Sequence, residues 1–244
     1  MRHPFSPRPP VFATLNARDQ DRLDALGSVR HYAAGTELYE QGETPHHVFR
    51  ILDGRVNVFS ESSEARRLIV RVAFSGDVLG IGAVFSKQPY VNAARVVTGA
   101  NVQVIPQDLF LTLMQQSVKA SACISLALAN EYLDIVETAR MMQLARSTAG
   151  RVVSVMLTLA DEHDLRKPFA CHFSHGELAD MAGCARESVS RTMQDLERQG
   201  TIRITGSNIS LLKTDLLMTR YSALLLPLQP SATPSSAGAM RFSS

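Results

Sequence analysis

Ser174-His175-Gly176-Glu177-Leu178-Ala179-Asp180-Met181-Ala182-Gly183-Cys184-Ala185-Arg186-Glu187-Ser188-Val189-Ser190-Arg191 reads as two short helices and the turn between them. Ser174 and Glu177 have the spacing of a capping box, in which the hydroxyl accepts from the Glu177 amide and the carboxylate reaches back to the Ser174 amide. A helix starts there, with Leu178, Ala179, Met181 and Ala182 on its apolar side. Gly183 can take the left-handed conformation that ends it. In the next helix Val189, Met193 and Leu196 repeat at i, i+4 and i+7 toward a core, while Arg186, Glu187, Ser190, Arg191 and Gln194 share the other face. This is a helix-turn-helix. Such a unit sets the start of its second helix in the major groove, where Arg pairs with guanine O6 and N7 and a carboxylate accepts from cytosine N4. An acid facing a polyanion costs binding energy unless it reads a base, so Glu187 favours sequence readout over phosphate binding. The competing reading makes Glu187 and Arg191 a solvated helical pair worth about 0.2–0.5 kcal/mol.

Upstream the texture differs. The chain of 244 residues allows one large domain or two ordinary ones, and its 45% hydrophobic and 20% charged content is that of a soluble globular protein. A net charge of +2 excludes a bulk polycation, so nucleic-acid binding has to come from placed Arg and Lys. Segments 47–52, 55–59, 68–74, 94–98 and 102–105 are short β-branched runs separated by glycines, the pattern of an all-β sandwich or barrel. Partial alternation in 55–59 and 67–72 predicts strands with one face in a core and the other wet. From Asp108 to Gly150 neither Gly nor Pro occurs, which predicts one long helix. On it Leu128, Tyr132, Ile135, Ala139 and Met142 follow a 4-3-4-3 spacing, either a dimer seam or a stripe packed on the β domain. Ser147 caps a further helix through Val152, Val155, Met156 and Leu159, with a hinge at Arg146-Ser147. Four prolines among the first ten residues and the Pro/Ser/Ala/Gly mixture of 227–244 predict two tails. The three cysteines, Cys123, Cys171 and Cys184, form neither a disulfide framework nor a C-x-x-C knuckle, which fits a reducing cytoplasm. There is no apolar run of about eighteen residues and no secretory h-region, so no membrane role is expected.

Gly183-Cys184-Ala185-Arg186-Glu187-Ser188-Val189-Ser190-Arg191 followed by Leu196-Glu197-Arg198-Gln199-Gly200-Thr201-Ile202 resembles the winged-helix signature of the cyclic-AMP receptor protein / FNR family of bacterial transcription regulators. Gly35, Gly42, Ile51-Leu52-Asp53-Gly54-Arg55-Val56 and Gly76-Asp77-Val78-Leu79-Gly80 are spaced as in that family's effector domain. The resemblance spans about residues 20 to 218 and implies an α+β chain: an N-terminal double-stranded β-helix (jelly roll, cyclic-nucleotide-binding-like), a long dimerisation helix and a C-terminal winged helix-turn-helix. The wing is expected at 202–204 and 209–211. The implied domains are a flexible tail at 1–11, the effector domain at 12–118, the dimerisation helix and hinge at 119–146, the DNA-binding domain at 147–226 and a disordered tail at 227–244. The family also favours the dimer reading of the stripe, since a two-fold dimer presents two recognition helices to a palindrome. Arg186, Glu187, Ser190 and Arg191 match its base-contacting positions, for a TGA-containing half-site; E-x-x-S-R resembles the FNR branch with its TTGAT-like half-sites, whereas Arg186 resembles the cyclic-AMP branch, which leaves the first base of the half-site open. Ser174, Ser188 and Gln194 are assigned to DNA-backbone or supporting contacts. Ala185 departs from the family's Ser or Thr N-cap, at a cost of about 0.5–2 kcal/mol of helix stability. RNA polymerase is a further implied partner.

In the effector domain the departures decide. Cyclic-nucleotide binders of this family carry a Glu for the ribose and an Arg-Ser or Arg-Thr pair for the phosphate. Here Ile81 stands at the Glu position, no Arg stands at the phosphate position, and Val136-Glu137 replaces the Thr-Ser pair of the long helix. A buried anionic phosphate without a cation is disfavoured, so the effector is expected to be other than a cyclic nucleotide, or absent. The candidate pocket is Leu79, Gly80, Ile81, Gly82, Tyr90, Asn92 and Val136, with Arg95 read as a structural charge. No Cys precedes Cys123, which excludes an FNR-type cluster at the N-terminus. Adjacent His46 and His47 point to opposite faces of a strand and make a poor metal or haem site. No catalytic residue, metal ligand or cofactor is assigned. Cys184, beside the recognition helix, is either a small turn residue or a thiol activated by the helix end. Two other classes remain open: a ligand-binding sensor whose output is not DNA, and a cupin-like metalloenzyme, which lacks its H-x-H strand.

Overall fold

The computed structural model describes residues 4–145, 147–161, 169–170, 173–206 and 208–221. In the N-terminal half two four-stranded antiparallel sheets enclose a core. One runs β1 (Ser28–Tyr32), β8 (Ala100–Pro106), β3 (His47–Ile51), β6 (Val78–Leu79), and the other β2 (Glu37–Tyr39), β7 (Ala93–Thr98), β4 (Arg55–Glu61), β5 (Arg67–Ala73). Phe49, Ile51, Val102 and Val104 of the first meet Val56, Val58, Ala94 and Val96 of the second. This is the jelly roll expected from the short β-branched runs. The outer side of the first sheet, through Val48 and Ile105, buries α1 (Ala17–Asp24), α2 (Ile81–Ser86) and α3 (Gln107–Gln116), with Leu23, Ile81, Val84 and Phe110 filling the space.

The outer side of the second sheet departs from the predicted wet face. Phe59, Ile69 and Val72 share a core with Val152, Val155, Met156, Leu178, Met181, Val189 and Leu196 of the C-terminal half. Along β4 the faces alternate, Val56 and Val58 turning into the jelly roll and Phe59 into this second core. Alternation does place one face outward; what covers that face is a separate domain, which strand periodicity cannot reveal.

The one long helix expected over the Gly- and Pro-free stretch is split in two at Ser117. Ser117 is extended (φ −127°, ψ 107°), ends α3 and caps α4 (Val118–Leu144), its hydroxyl accepting from the Ala120 amide at 3.1 Å. That hydroxyl also donates to Asp19 at 2.7 Å, so a tertiary contact supports the break. After Ala145 the chain starts α5 (Thr148–Asp161), where the Gly150 amide donates to the Ser147 hydroxyl at 3.0 Å, the cap read from the sequence. The 27 residues of α4 span about 40 Å.

The expectation of a flexible tail over 1–11 is corrected for residues 4–11. Phe5 and Ser6 are buried, the Val72 amide donates to the Pro4 carbonyl at 2.8 Å, and the Val11 amide to the Gly76 carbonyl at 2.9 Å. Arg8 Nη2 donates to both oxygens of Asp134 on α4, each at 2.6 Å. The prolines that prevent a helix leave an extended strap, and Phe5 gives it an apolar anchor. The predicted tail over 227–244, with 222–226 before it, lies outside the described residues, as do Arg146 of the hinge and Cys171.

Tight turns hold the strands in register. Gly54, with φ +88°, joins β3 to β4, and a Cβ there would lie 2.6–2.7 Å from Ala100. Gly54→Ala therefore meets both a disfavoured φ and a backbone that cannot yield. It should lower the free energy of unfolding by about 2–4 kcal/mol, read from urea denaturation, whereas the same change at Gly82, with nothing within 4 Å, should be close to neutral.

Candidate DNA-reading surface and effector cavity

The C-terminal half packs α5, α6 (His175–Ala182), α7 (Arg186–Arg198) and α8 (Thr214–Tyr221) beside a three-stranded sheet of β10 (Ile202–Thr205), β11 (Asn208–Leu211) and β9 (Phe169–Ala170). The wing hairpin is β10 and β11, paired from Ile202 with Leu211 to Thr205 with Asn208. The capping box forms, with the Ser174 hydroxyl accepting from the Glu177 amide at 3.2 Å and the Glu177 carboxylate from the Ser174 amide at 2.9 Å. Gly183 ends α6 at φ +56°. Ala185 makes no side-chain cap. Part of the fastening there comes from Arg151, absent from the sequence reading, whose Nε donates to the Ala182 carbonyl at 2.8 Å and Nη2 to the Gly183 carbonyl at 3.3 Å. Helix C-termini expose such unpaired carbonyls, and a cation completes them.

Val189, Thr192, Met193 and Leu196 bury one side of α7. On the other, Arg186, Glu187, Ser190, Arg191 and Gln194 line one open groove. Arg186, Glu187, Arg191 and Gln194 are exposed, and Ser190 is half-buried with its hydroxyl 3.0 Å from His175 Nδ1. Ser188 is half-buried beside the groove. Ser174 has its amide, and its hydroxyl as donor and acceptor, engaged by Glu177, so its contribution is to the helix start. Burial pushes the Cys184 thiol up, against activation by the helix end.

Glu177 also joins the two halves. Its Oε1 accepts from Arg55 Nη2 at 2.8 Å and Asn57 Nδ2 at 3.3 Å, both on β4, and the Arg55 guanidinium lies 4.7 Å from the centre of the Phe173 ring. Asp180 on the same helix has its carboxyl raised by burial.

A cavity of about 340 Å³ opens between the jelly roll and α4. Leu79, Gly80, Ile81, Gly82, Tyr90 and Asn92 line it as expected. Val136 does not; Glu131, Asp134 and Ile135 represent α4 there, because the helix turns its i, i+3 and i+4 positions inward. Tyr39 stacks on Tyr90 with ring centres 4.1 Å apart. The Tyr90 hydroxyl donates to the His47 carbonyl at 2.8 Å, and burial pushes its pKa up to about 12. Arg71 is the cation that sequence reading missed, since it belongs to β5 and enters the wall only through the fold. Its Nη1 donates to Glu131 and its Nη2 to Asp77, each at 2.6 Å. Desolvation raises the carboxyls of Glu131 and Asp134 despite the neighbouring guanidinium groups. Arg95 points elsewhere, pairing with Glu37 beside the Phe59 ring, which supports its structural reading.

Along α4 the predicted stripe is split. Leu128 packs into the core under the first sheet and Met142 against the C-terminal core. Tyr132, Ile135 and Ala139 are exposed, joined by Leu126 and Leu133. Among the described residues no group of three His, Cys, Asp or Glu side chains is placed to hold a metal ion, and no helix is long and apolar enough to cross a membrane.

Residues 29–117 match the family model of the cyclic nucleotide-binding domain, and residues 150–220 that of the Crp-like helix-turn-helix domain. The chain is 24% identical over 202 residues to the cAMP-activated global transcriptional regulator Vfr of Pseudomonas aeruginosa, covering 80% of this chain and 94% of that one. It is 26% identical over 207 residues to the nitrogen fixation regulation protein FixK of Bradyrhizobium diazoefficiens, covering 83% and 85%. The solved structure of CLP, the c-di-GMP-responsive global regulator of Xanthomonas campestris, superposes with a TM-score of 0.68 at 22% identity, covering 80% of this chain and 99% of that one.

The doubled role of Glu177 sets a stability test. Glu177→Ala removes a cap and a partly buried partner of Arg55, and should cost about 2–4 kcal/mol in urea unfolding. Glu177→Gln, which keeps a capping oxygen, should cost less than half as much.

Proposed function

The chain belongs to the Crp/Fnr family of transcription regulators, and from that premise we propose that it is a homodimer reading a palindromic operator with a TGA-containing half-site. The observation that carries the reading is the exposed groove of Arg186, Glu187, Ser190, Arg191 and Gln194 on the first turns of α7, backed by a fully packed opposite side. Arg186 and Arg191 supply bidentate donors, and Glu187 supplies an acceptor for a cytosine amino group. Gln194, with Ser188 at the edge, is left for the phosphates, while Ser174 acts through the capping box. Two such helices one DNA turn apart, about 34 Å, require a two-fold axis. The exposed Tyr132, Ile135 and Ala139 of α4, with Leu126 and Leu133 beside them, supply an apolar face for it.

The effector, where there is one, is not a cyclic nucleotide. A cyclic phosphate entering the cavity would meet Glu131 and Asp134, and the cation in the wall, Arg71, already has both terminal nitrogens on Glu131 and Asp77. Replacing those partners by a phosphate would leave two carboxylates buried without them. The reading also takes the protein as non-catalytic, cytoplasmic and acting with RNA polymerase, as its relatives' description as transcription regulators suggests.

Selection from a random duplex pool should return inverted TGA-containing half-sites, and failure to enrich any motif would refute the reading. Arg191→Ala should weaken binding to the selected site by about 1–3 kcal/mol and relax one position per half-site; equal loss on every duplex would make it a phosphate contact. Titration calorimetry with cyclic AMP should give no saturable heat, and a saturable isotherm would overturn the assignment of the cavity.

A further inference from the structure

Ser190 differs from its neighbours in the groove. It is half-buried where Arg186, Glu187, Arg191 and Gln194 are exposed, and its hydroxyl meets Nδ1 of His175, the first residue of α6, at 3.0 Å. A serine hydroxyl carries one proton and two lone pairs, so when free to rotate it pairs with base donors and acceptors alike and discriminates poorly. A fixed partner removes that freedom. A neutral imidazole offers one N–H and one lone pair, and the bond made by one nitrogen sets the role of the other. With the ring proton on Nε2, Nδ1 is an acceptor, the Ser190 O–H is directed to it, and Oγ presents only lone pairs to the groove.

We propose that His175 is a positioning residue for sequence readout: its Nδ1 accepts the hydrogen bond of the Ser190 O–H, so that Ser190 recognises an amino group, adenine N6 or cytosine N4, and rejects a keto oxygen or N7. This rests on the DNA-reading role of α7 proposed above. The interaction crosses the turn and ties the start of α6 to the outer face of α7.

The test is selection from a random pool with the full-length protein and four variants, scored position by position. Ser190→Ala should erase one preference in each half-site, and that preference in the unmodified protein should be for an adenine or cytosine on the strand facing α7. His175→Phe keeps the ring's bulk, removes its nitrogens, and should lower the same preference by about three- to tenfold while leaving the other positions selected. His175→Asn, whose amide oxygen can stand in for Nδ1, should restore at least half of it. The double variant His175→Phe with Ser190→Ala should match Ser190→Ala alone. The inference is overturned if His175→Phe leaves that position unchanged, if all positions fall together, if the effects of the two single changes add, or if Ser190 selects guanine or thymine. An unmodified protein that selects no motif overturns the DNA-reading proposal itself, an outcome separate from all of these.

Discussion

The Glu177 carboxylate ties the two halves together beside the apolar core they share. One oxygen completes the capping box of α6 and the other accepts from Arg55 and Asn57 of the jelly roll. A carboxylate has about four lone-pair directions, so four donors from two domains saturate it. The group that starts the first helix of the helix-turn-helix is therefore also held by a strand of the jelly roll. Few surface ion pairs matter, but Arg55 and Glu177 retain only 14% and 18% exposure of their side chains, and the bonds are charge-assisted.

The charges around the cavity follow a similar economy. Arg71 and Arg8 are set against Asp77, Glu131 and Asp134, each guanidinium donating to carboxylates at 2.6 Å. Burial of so many ions is tolerable only when every one has a partner. The N-terminal strap is thereby tied to α4: without Arg8, Asp134 would lose a guanidinium that meets both its oxygens, beside two other acids.

Much of this was legible in the residues. The capping box at Ser174, the left-handed Gly183 and the 4-3 spacing of Val189, Met193 and Leu196 are local signals, and local signals determine short helices. The jelly-roll strands followed from β-branched runs between glycines. Contacts between distant segments were not legible. Nothing near Arg71 announces a cavity, nothing near Phe5 announces a docked strap, and the break at Ser117 depends on Asp19, 98 positions away. The stripe on α4 is split between core and surface for the same reason. A helix with apolar residues on several sides presents more than one 4-3 pattern, and only the tertiary core decides that Leu128 turns inward while Leu133 stays out.

Strand β4 has no spare face. Arg55, Asn57 and Phe59 serve the reader, while Val56 and Val58 fill the jelly roll. A slip of one residue in its pairing would put a guanidinium and an amide into the apolar interior and present two valines to Glu177, so both sides would reject the error. An ordinary surface strand has its alignment checked by one core, and this one is checked by two. That double check makes β4 intolerant of insertions, and a single thickness of backbone separates the cavity, whose wall includes Val58, from the first helix of the helix-turn-helix.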